Sequence, residues 1–378
     1  MCCLMCIAGM FSSEIMTGML RILITAPSMN VARNVSGVSS VVSQIMRVLC
    51  DSVEFVHIEI GSEQGGPYLS RLFGSLSKAA RSIFMLLTSQ YDVLHSNTAM
   101  NAKSIVRDLA IVVIARLRGK AVLLHIHGGT YVHQKAPYIL HRVLLYLFHL
   151  SDCIVVLSRT EFVYFAQNYP EASTKTEFIY NGIDLSQQQL EIETSTSSDR
   201  LRIVYVGRLV PEKGIVPLIA ACRMLNDIDK IDLDFFGQGG LLPELLLLTK
   251  EKAFVTYRGL FQPSESHVVL RDFDALILPS VRGEGMPMAV IEAMSVGVVP
   301  ICCPISSIPE IVVDGETGLL IEIDSPKAIV EALFRLKRDA AGRRRMGDAS
   351  RKFARANLDA RKNFSEFNSL YQRICPRA

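Results

Sequence analysis

The sequence predicts an α/β protein of two domains, each with a parallel sheet flanked by helices. Short apolar runs alternate with longer segments whose apolar residues recur at helical spacing, and this alternation is typical of βα units. The chain has 378 residues, which is more than one hydrophobic core usually serves. A stretch at 186–200 is rich in Gln, Ser, Thr and Glu, a composition that predicts a linker with little to bury.

The first domain is expected at 19–185, after an extension at 1–18 that precedes the first strand. Short apolar runs suit buried strands, whereas longer periodic segments suit helices. The predicted strands are 21–25, 53–60, 93–95, 121–125 and 153–157, and the predicted helices are 38–49, 68–88, 102–116 and 137–150. Ser158 is a suitable N-cap for the helix that follows.

The second domain is expected at 201–358 and repeats the alternation, with a loop at 304–310. Its predicted strands are 201–206, 231–237, 255–259, 275–278 and 298–302, and its predicted helices are 215–225, 288–296, 329–336 and 343–356. A final helix is expected within 359–378, because four apolar side chains recur there at helical spacing. They are Phe364, Phe367, Leu370 and Tyr371.

Composition excludes several classes of partner. The formal net charge is only +3 and no basic stripe interleaved with aromatic residues is present, so nucleic acid is not expected to bind. Nine cysteines, an odd number without ligand spacing, favour a reduced cytoplasmic protein. Cys2, Cys3 and Cys6 have no partner cluster for a metal, and no apolar run is long enough to span a membrane.

The stretch at 278–300 contains the strongest candidate site, a strand followed by a glycine-rich turn and a helix. Pro287 suits the first helical position and Gly297 suits the residue past the helix end. Glu284 precedes the helix and Glu292 lies inside it, so both carboxylates can face one crevice. Helix N-termini bind phosphate, and carboxylates accept hydrogen bonds from vicinal hydroxyls. Together these features predict a site for a sugar phosphate.

A second candidate motif follows the strand at 201–206. Gly207 and Arg208 precede Lys213, and the two cations straddle a strand-to-helix turn where both can reach one diphosphate. In the first domain Gly37 stands at a βα turn and His127 at a strand end. Ligands of open α/β sheets bind at such positions, although each residue also has a purely structural interpretation.

Three possible metal sites are rejected. His125, His127 and His133 lack a completing carboxylate or cysteine. The Asp-x-Asp pairs at 232–234 and 272–274 have the spacing that holds divalent ions in some enzymes. Such ions require several oxygen ligands near open loops, so no metal is expected.

The helix at 68–88 is basic and amphipathic. Its apolar side is predicted to contain Leu72, Leu76, Ala79, Ile83 and Leu86, and Arg71, Lys78 and Arg81 are predicted to lie outside it. Such a helix suits either an anionic membrane surface or simple packing with a solvated basic face.

The motifs of the second domain strongly resemble those of the family-four retaining glycosyltransferases. The residues that carry the resemblance are Pro279-Ser280, Glu284-Gly285-Met286-Pro287, Glu292, Ala293-Met294, Gly297, Ile308-Pro309-Glu310 and Asp314-Gly315-Glu316-Thr317-Gly318. A further segment, Phe178 to Asp184, resembles the family's closing signature for the first domain. The resemblance implies the GT-B fold, in which two Rossmann-like domains face a cleft and the C-terminal helix crosses back to the first domain.

The resemblance also implies roles. Arg208 and Lys213 would neutralise a departing nucleotide diphosphate, Glu284 would orient sugar hydroxyls and Glu292 would hold ribose. The implied catalytic residues are Glu284, Arg208, Lys213 and His127, and the implied donor-binding residues are Gly37, Gly207, Gly285, Met286, Pro287, Met288 and Glu292. The donor would be a nucleotide diphosphate sugar, the acceptor a saccharide or lipid-linked molecule, and no cofactor would be required.

The chain departs from the family pattern in three places. Ser36 replaces the first glycine of a pair, Ser306-Ser307 stands where relatives often have two glycines, and the loop at 280–283 is one residue longer than is common. Two other classes remain open: a GT-B epimerase or phosphorylase, and a nicotinamide-dependent oxidoreductase. The oxidoreductase is disfavoured because 28–37 contains a single glycine and no Gly-x-Gly-x-x-Gly.

Overall fold

A computed structural model describes residues 19–30, 36–61, 68–132, 134–187 and 199–376 of the chain. The predicted extension at 1–18, most of the predicted linker and His133 lie outside the described residues. Two six-stranded parallel sheets fall on either side of that linker in the chain. The predicted fold class is therefore confirmed.

The first sheet has the strand order β2-β1-β3-β4-β5-β6. Its strands are β1 Leu20–Ala26, β2 Val53–Glu59, β3 Val93–Thr98, β4 Ala121–Ile126, β5 Cys153–Val156 and β6 Thr176–Phe178. The helices between them are α1 Gly37–Leu49, α2 Tyr68–Thr88, α3 Ala102–Leu117, α4 Tyr138–Leu150, α5 Arg159–Asn168 and α6 Pro170–Ser173. Ser158 caps α5, since its Oγ accepts from the backbone N–H of Glu161 at 3.1 Å, as predicted.

The second sheet has the order β12-β11-β10-β7-β8-β9. Its strands are β7 Leu201–Val206, β8 Ile231–Phe236, β9 Val255–Gly259, β10 Ala275–Leu278, β11 Val299–Cys302 and β12 Leu319–Leu320. Its helices are α7 Ile215–Met224, α8 Leu242–Glu251, α9 Ser266–Leu270, α10 Met288–Ser295, α11 Ile308–Ile311, α12 Pro326–Arg338 and α13 Ala340–Asn357. A last helix, α14 Ala360–Ile374, follows.

Alternating residues of the first sheet enter two different cores, as the period of a strand requires. Leu123 and Val155 pack in the core that also contains residues of α1 and α14, whereas Leu124 and Val156 pack with α3, α4 and α5 on the other face. The helix α14 therefore lies on the first sheet although it follows the second one in sequence. All four of its predicted core residues are buried, so the predicted crossover helix is confirmed.

Several local predictions need correction. Pro287 is the N-cap of α10, not its first helical residue, and the predicted loop at 304–310 contains the start of the short helix α11. In α2, Leu86 is buried but Ala79 and Ile83 face solvent, because Ser82 and Leu86 define the inward side. The other predicted residues of that side lie outside the described side chains. No helix of the described residues is long and apolar enough to cross a membrane.

The two domains meet backbone to backbone where β4 ends. Gly128 has φ +75°, and a Cβ atom at this position would lie 2.6 Å from the backbone nitrogen of Gly285. The helix α5 is also held across the interface: Glu310 accepts hydrogen bonds from the backbone N–H groups of Arg159 at 3.1 Å and Thr160 at 2.6 Å. A carboxylate at a helix N-terminus is favourable, so this contact stabilises the packing of the two domains.

We expect Gly128→Ala to lower the free energy of unfolding by about 2–4 kcal/mol, because it adds left-handed backbone strain to an overpacked contact. Gly240→Ala is the matched control, since a Cβ atom there meets nothing within 4 Å. Urea unfolding of both variants measures the difference, and equal midpoints would contradict the close contact between the domains.

Candidate active site between the domains

The loops that follow β7 and β10 lie side by side, because these strands pair in parallel and end at the same edge of the sheet. Their approach depends on Gly214, which has φ +72° and whose Cβ atom would lie 1.9 Å from the carbonyl oxygen of Pro279. No other residue fits there without moving one of the loops. The loop after β7 therefore delivers Lys213 to the loop that contains Ser280 and Glu284.

An ion pair between these loops forms the centre of the candidate site. The Nζ atom of Lys213 lies 2.5 Å from Oε1 of Glu284, and the Ser280 hydroxyl donates to the same oxygen at 2.5 Å. Glu284 is only 5% exposed and Ser280 is fully buried. Removing one member of a buried charge pair leaves the other uncompensated and is strongly destabilising. Lys213 and Glu284, predicted as separate contacts to diphosphate and sugar, thus form one unit without a ligand.

Ser280 had no predicted role of its own. It was visible only as part of the Pro-Ser pair after β10, and its contact to Glu284 depends on the shape of the loop. Arg208 lies in the loop after β7 and is exposed; the hydroxyl of Tyr205 holds its carbonyl oxygen at 2.8 Å. No hydrogen bond or ion pair joins the Arg208 side chain to Lys213 or Glu284 within the described part of the chain.

The second predicted carboxylate, Glu292, is the fifth residue of α10 and is 8% exposed. Burial raises the pKa of Glu292 to about 8. The side chain is therefore mainly protonated at neutral pH, unlike the ionised carboxylate that the sequence suggested. A ligand that donates hydrogen bonds to this group favours the ionised form and would release the proton.

Side chains from two directions fix the backbone between the glutamates. Asn181, at the end of the first domain, donates from Nδ2 to the carbonyl oxygen of Met286 at 2.9 Å. The Ser307 hydroxyl donates to the carbonyl oxygen of Gly285 at 2.5 Å. Ser306 has φ +51°, a conformation that favours glycine, and its hydroxyl donates to Oε1 of Glu161 at 3.2 Å. The two serines that replace glycines therefore hold the site loop and the interface.

His127 directly follows β4, and its backbone reaches the site: a Cβ atom at Gly285 would lie 3.2 Å from the His127 carbonyl carbon. Nε2 of His127 lies 2.6 Å from Oδ1 of Asn97. Burial lowers the pKa of His127 to about 3, so the imidazole is neutral at physiological pH. Gly37 begins α1 and has open space around it, and no contact among the residues that the structure describes places it at the ion pair.

Three aspartates of the rejected Asp-x-Asp motifs are hydrogen-bonded to other groups of the protein. Asp232 accepts from Arg200 Nε at 2.9 Å and Asp234 accepts from Arg258 Nε at 2.9 Å. Asp274 accepts from the backbone N–H of Arg202 at 2.8 Å. Among the described residues there is no group of three or more His, Cys, Asp or Glu that could hold a metal ion.

Two family models match the chain on either side of the linker. The model described as glycosyl transferases group 1 matches residues 187–353, and the model described as Glycosyltransferase Family 4 matches residues 43–187. Together they include the ion pair, Glu292 and His127.

Individual proteins also resemble the chain, at low sequence identity. An uncharacterized glycosyltransferase of Methanocaldococcus jannaschii is 22% identical over 78% of each chain. A putative teichuronic acid biosynthesis glycosyltransferase of Bacillus subtilis is 30% identical over 52% of this chain and 48% of that protein. The structure of Anabaena HepE in complex with UDP and glucose has a TM-score of 0.71 at 16% identity and covers 94% of this chain and 100% of that one; it shows a shared fold.

The raised pKa of Glu292 predicts a pH-dependent stability that Glu292→Gln removes. Between about pH 5 and pH 8 the folded state retains a proton that the unfolded state has lost, so stability falls as the pH rises toward about 8. We expect this residue to contribute a slope of about 1.4 kcal/mol per pH unit. Urea unfolding of both proteins at several pH values measures it, and other titrating groups cancel in the difference. Parallel curves would show that Glu292 is already ionised.

Proposed function

Because the chain belongs to the family-four glycosyltransferases of GT-B fold, we propose that it transfers a sugar from a nucleotide diphosphate donor with retention of configuration. The acceptor would be a saccharide or lipid-linked molecule in polysaccharide or glycolipid assembly. We propose a cytoplasmic enzyme that needs neither a metal nor a separate cofactor.

The observation that carries this proposal is the buried contact of Lys213 with Glu284. Breaking the bond between sugar and diphosphate leaves negative charge on the departing phosphate. A lysine already oriented by Glu284, which Ser280 holds in turn, can stabilise that charge without reorganising, and preorganised cations contribute most in a site that excludes water. Arg208, on the same loop, adds a second cation. These two charges support a metal-independent reaction, since they supply what a divalent ion supplies in other enzymes.

The two carboxylate oxygens of Glu284 have different roles in this proposal. Its Oε1 is occupied by Lys213 and Ser280, and a carboxylate has further lone pairs on Oε2. We propose that Oε2 accepts hydrogen bonds from hydroxyl groups of the transferred sugar. Glu292, eight residues later, would accept from the ribose hydroxyls and lose its proton as the donor binds. The closed contact between the domains would hold donor and acceptor together, which lowers the barrier by proximity.

The comparisons support the substrate class. HepE was captured with UDP and glucose, and the Bacillus subtilis relative is described as a putative teichuronic acid biosynthesis glycosyltransferase. A nucleotide sugar and a saccharide chain are therefore the first donor and acceptor to test.

The test is release of nucleotide diphosphate from a panel of donors with lipid and saccharide acceptors. Lys213→Ala should lower kcat by about a hundredfold or more, whereas Lys250→Ala, an exposed lysine of α8, should not. Glu284→Gln should chiefly lower kcat, and Glu292→Ala should raise KM about tenfold. We expect a chelator to leave activity unchanged and NMR to show a retained anomeric configuration. Loss of activity with the chelator, or an inverted product, would contradict the mechanism.

We further propose that the enzyme reaches a lipid-linked acceptor through the outer face of α2. Phe84 is 65% exposed and Leu87 54% exposed, beside Ile83. Arg81 is also exposed, whereas Lys78 forms an ion pair with Glu59 at 2.7 Å. Apolar side chains next to a cation are the composition of a helix that lies on an anionic membrane surface.

Flotation with vesicles of phosphatidylglycerol and phosphatidylcholine tests this surface. A buried Phe or Leu side chain contributes about 1.5–3 kcal/mol and an arginine about 1 kcal/mol, so Phe84→Glu with Leu87→Glu should lower vesicle binding more than tenfold and Arg81→Glu should lower it less. Ile228→Glu is the control, because Ile228 is 84% exposed in the second domain. Binding that survives the double variant would exclude α2 as the contact.

A further inference from the structure

Asn97, near the end of β3, joins His127 to β1 and had no role in the sequence analysis. It is 2% exposed. Its Nδ2 donates to the carbonyl oxygen of Thr25 at 2.8 Å, and its backbone N–H donates to the Thr25 hydroxyl at 2.9 Å. Its Oδ1 lies 2.6 Å from Nε2 of His127. One side chain thus connects the carboxyl ends of β1, β3 and β4.

These contacts determine where the imidazole proton lies. A carbonyl oxygen can only accept a hydrogen bond, so the Asn97 atom next to the Thr25 carbonyl must be the amide nitrogen. The amide oxygen therefore faces His127. Since that oxygen also only accepts, Nε2 of His127 must carry the hydrogen. Only one nitrogen of a neutral imidazole carries a hydrogen, so Nδ1 has a lone pair.

We propose that Asn97 is a positioning residue that holds His127 as the Nε2–H tautomer, leaving Nδ1 as a hydrogen-bond acceptor for a sugar hydroxyl in the cleft. The proposal rests on the proposed function for its second half only. Burial keeps the pKa of His127 low, and no protein group within the described residues bonds to Nδ1. His127 is half-buried, and its backbone meets the loop that contains Glu284, so a sugar bound there would be within its reach.

Asn97 also has a structural contact, and the controls must separate the two roles. Thr25→Val removes the acceptor of the Asn97 backbone N–H but leaves the amide contact to His127. Asn97→Ala removes the contact to His127 and the bond to the Thr25 carbonyl. Asn97→Asp keeps the size of the side chain and provides a second variant should Asn97→Ala fail to fold.

Nitrogen-15 NMR of histidine-labelled protein reads the tautomer directly, with His127→Gln identifying the signal. We expect the Nε2–H pattern in the wild type and in Thr25→Val, and a mixed or Nδ1–H pattern in Asn97→Ala. An Nδ1–H pattern in the wild type, or an unchanged pattern in Asn97→Ala, would overturn the proposal. This measurement needs no activity, so it stands apart from failure of the proposed function.

Kinetics test the acceptor role. Asn97→Ala should lower kcat about tenfold, as expected for one lost hydrogen-bond partner. If Asn97 acts through His127, the double variant with His127→Ala should be no slower than His127→Ala alone, whereas Thr25→Val should add its own effect. Additive losses for Asn97 and His127 would overturn the proposal.

Asn97→Asp should change the charge of His127, whereas Asn97→Ala should change its tautomer. A buried carboxylate beside Nε2 favours imidazolium, so we expect a new acidic limb in kcat/KM, where protonation removes the Nδ1 lone pair. The titratable neighbours are His125, whose ring centroid lies 4.0 Å from that of His127, His95 behind it, and Glu284, whose backbone meets Gly128. All three are unchanged in this variant, so a pH profile identical to the wild type would contradict the assignment.

Discussion

The whole site depends on a close contact between two backbone segments, one from each domain, with no side chain between them. At Gly128 the first domain touches the peptide between Glu284 and Gly285 of the second. A methyl group at either position would collide with backbone or with a packed side chain, and close-packed interiors do not absorb such a change. This contact places the end of β4 beside the loop that leads into α10. The candidate site residues of the two domains are therefore brought side by side here.

The ionisable side chains around the cleft fall into two groups, one charged and one neutral. Lys213 and Glu284 form a buried pair whose opposite charges compensate the loss of water. No opposite charge among the described residues pairs with Glu161, Glu292 or His127. Burial therefore shifts the pKa of each in the direction that favours its neutral form, to about 7, about 8 and about 3 respectively. Among these buried groups little charge is therefore uncompensated. A nucleotide diphosphate would enter a site whose lysine is already oriented.

The crossover helix α14 is connected to the cleft through side chains of the first sheet. The hydroxyl of Tyr371 lies 2.6 Å from Nδ1 of His95, and Nε2 of His95 lies 3.2 Å from Nδ1 of His125. The His125 ring packs on His127 with centroids 4.0 Å apart. Burial lowers the pKa of both His95 and His125. Helix α14 is therefore joined to the cleft by a neutral, buried polar row.

Local sequence determined ten of the strands of the two sheets, because alternation of apolar runs with helical periodicity depends only on neighbouring residues. The same is true of the Ser158 cap and of the buried residues of α14, whose spacing is visible in the chain. Local sequence did not indicate the short edge strands β6 and β12. The motifs with Arg208, Lys213, Glu284 and Glu292 pointed to a phosphate-binding crevice, since their residue types and spacing express chemistry without a fold.

Only the tertiary structure decided which of these groups touch. Lys213 binds Glu284, 71 positions later, because Gly214 lets two loops pack, and Asn97 binds His127 because parallel strands align their ends. Burial raises the pKa of Glu292, so that this residue is protonated at neutral pH. The packing of α2 leaves Ile83 facing solvent. Contacts between distant residues, and the water they exclude, follow from packing of the whole chain, so no local pattern in the sequence contains them.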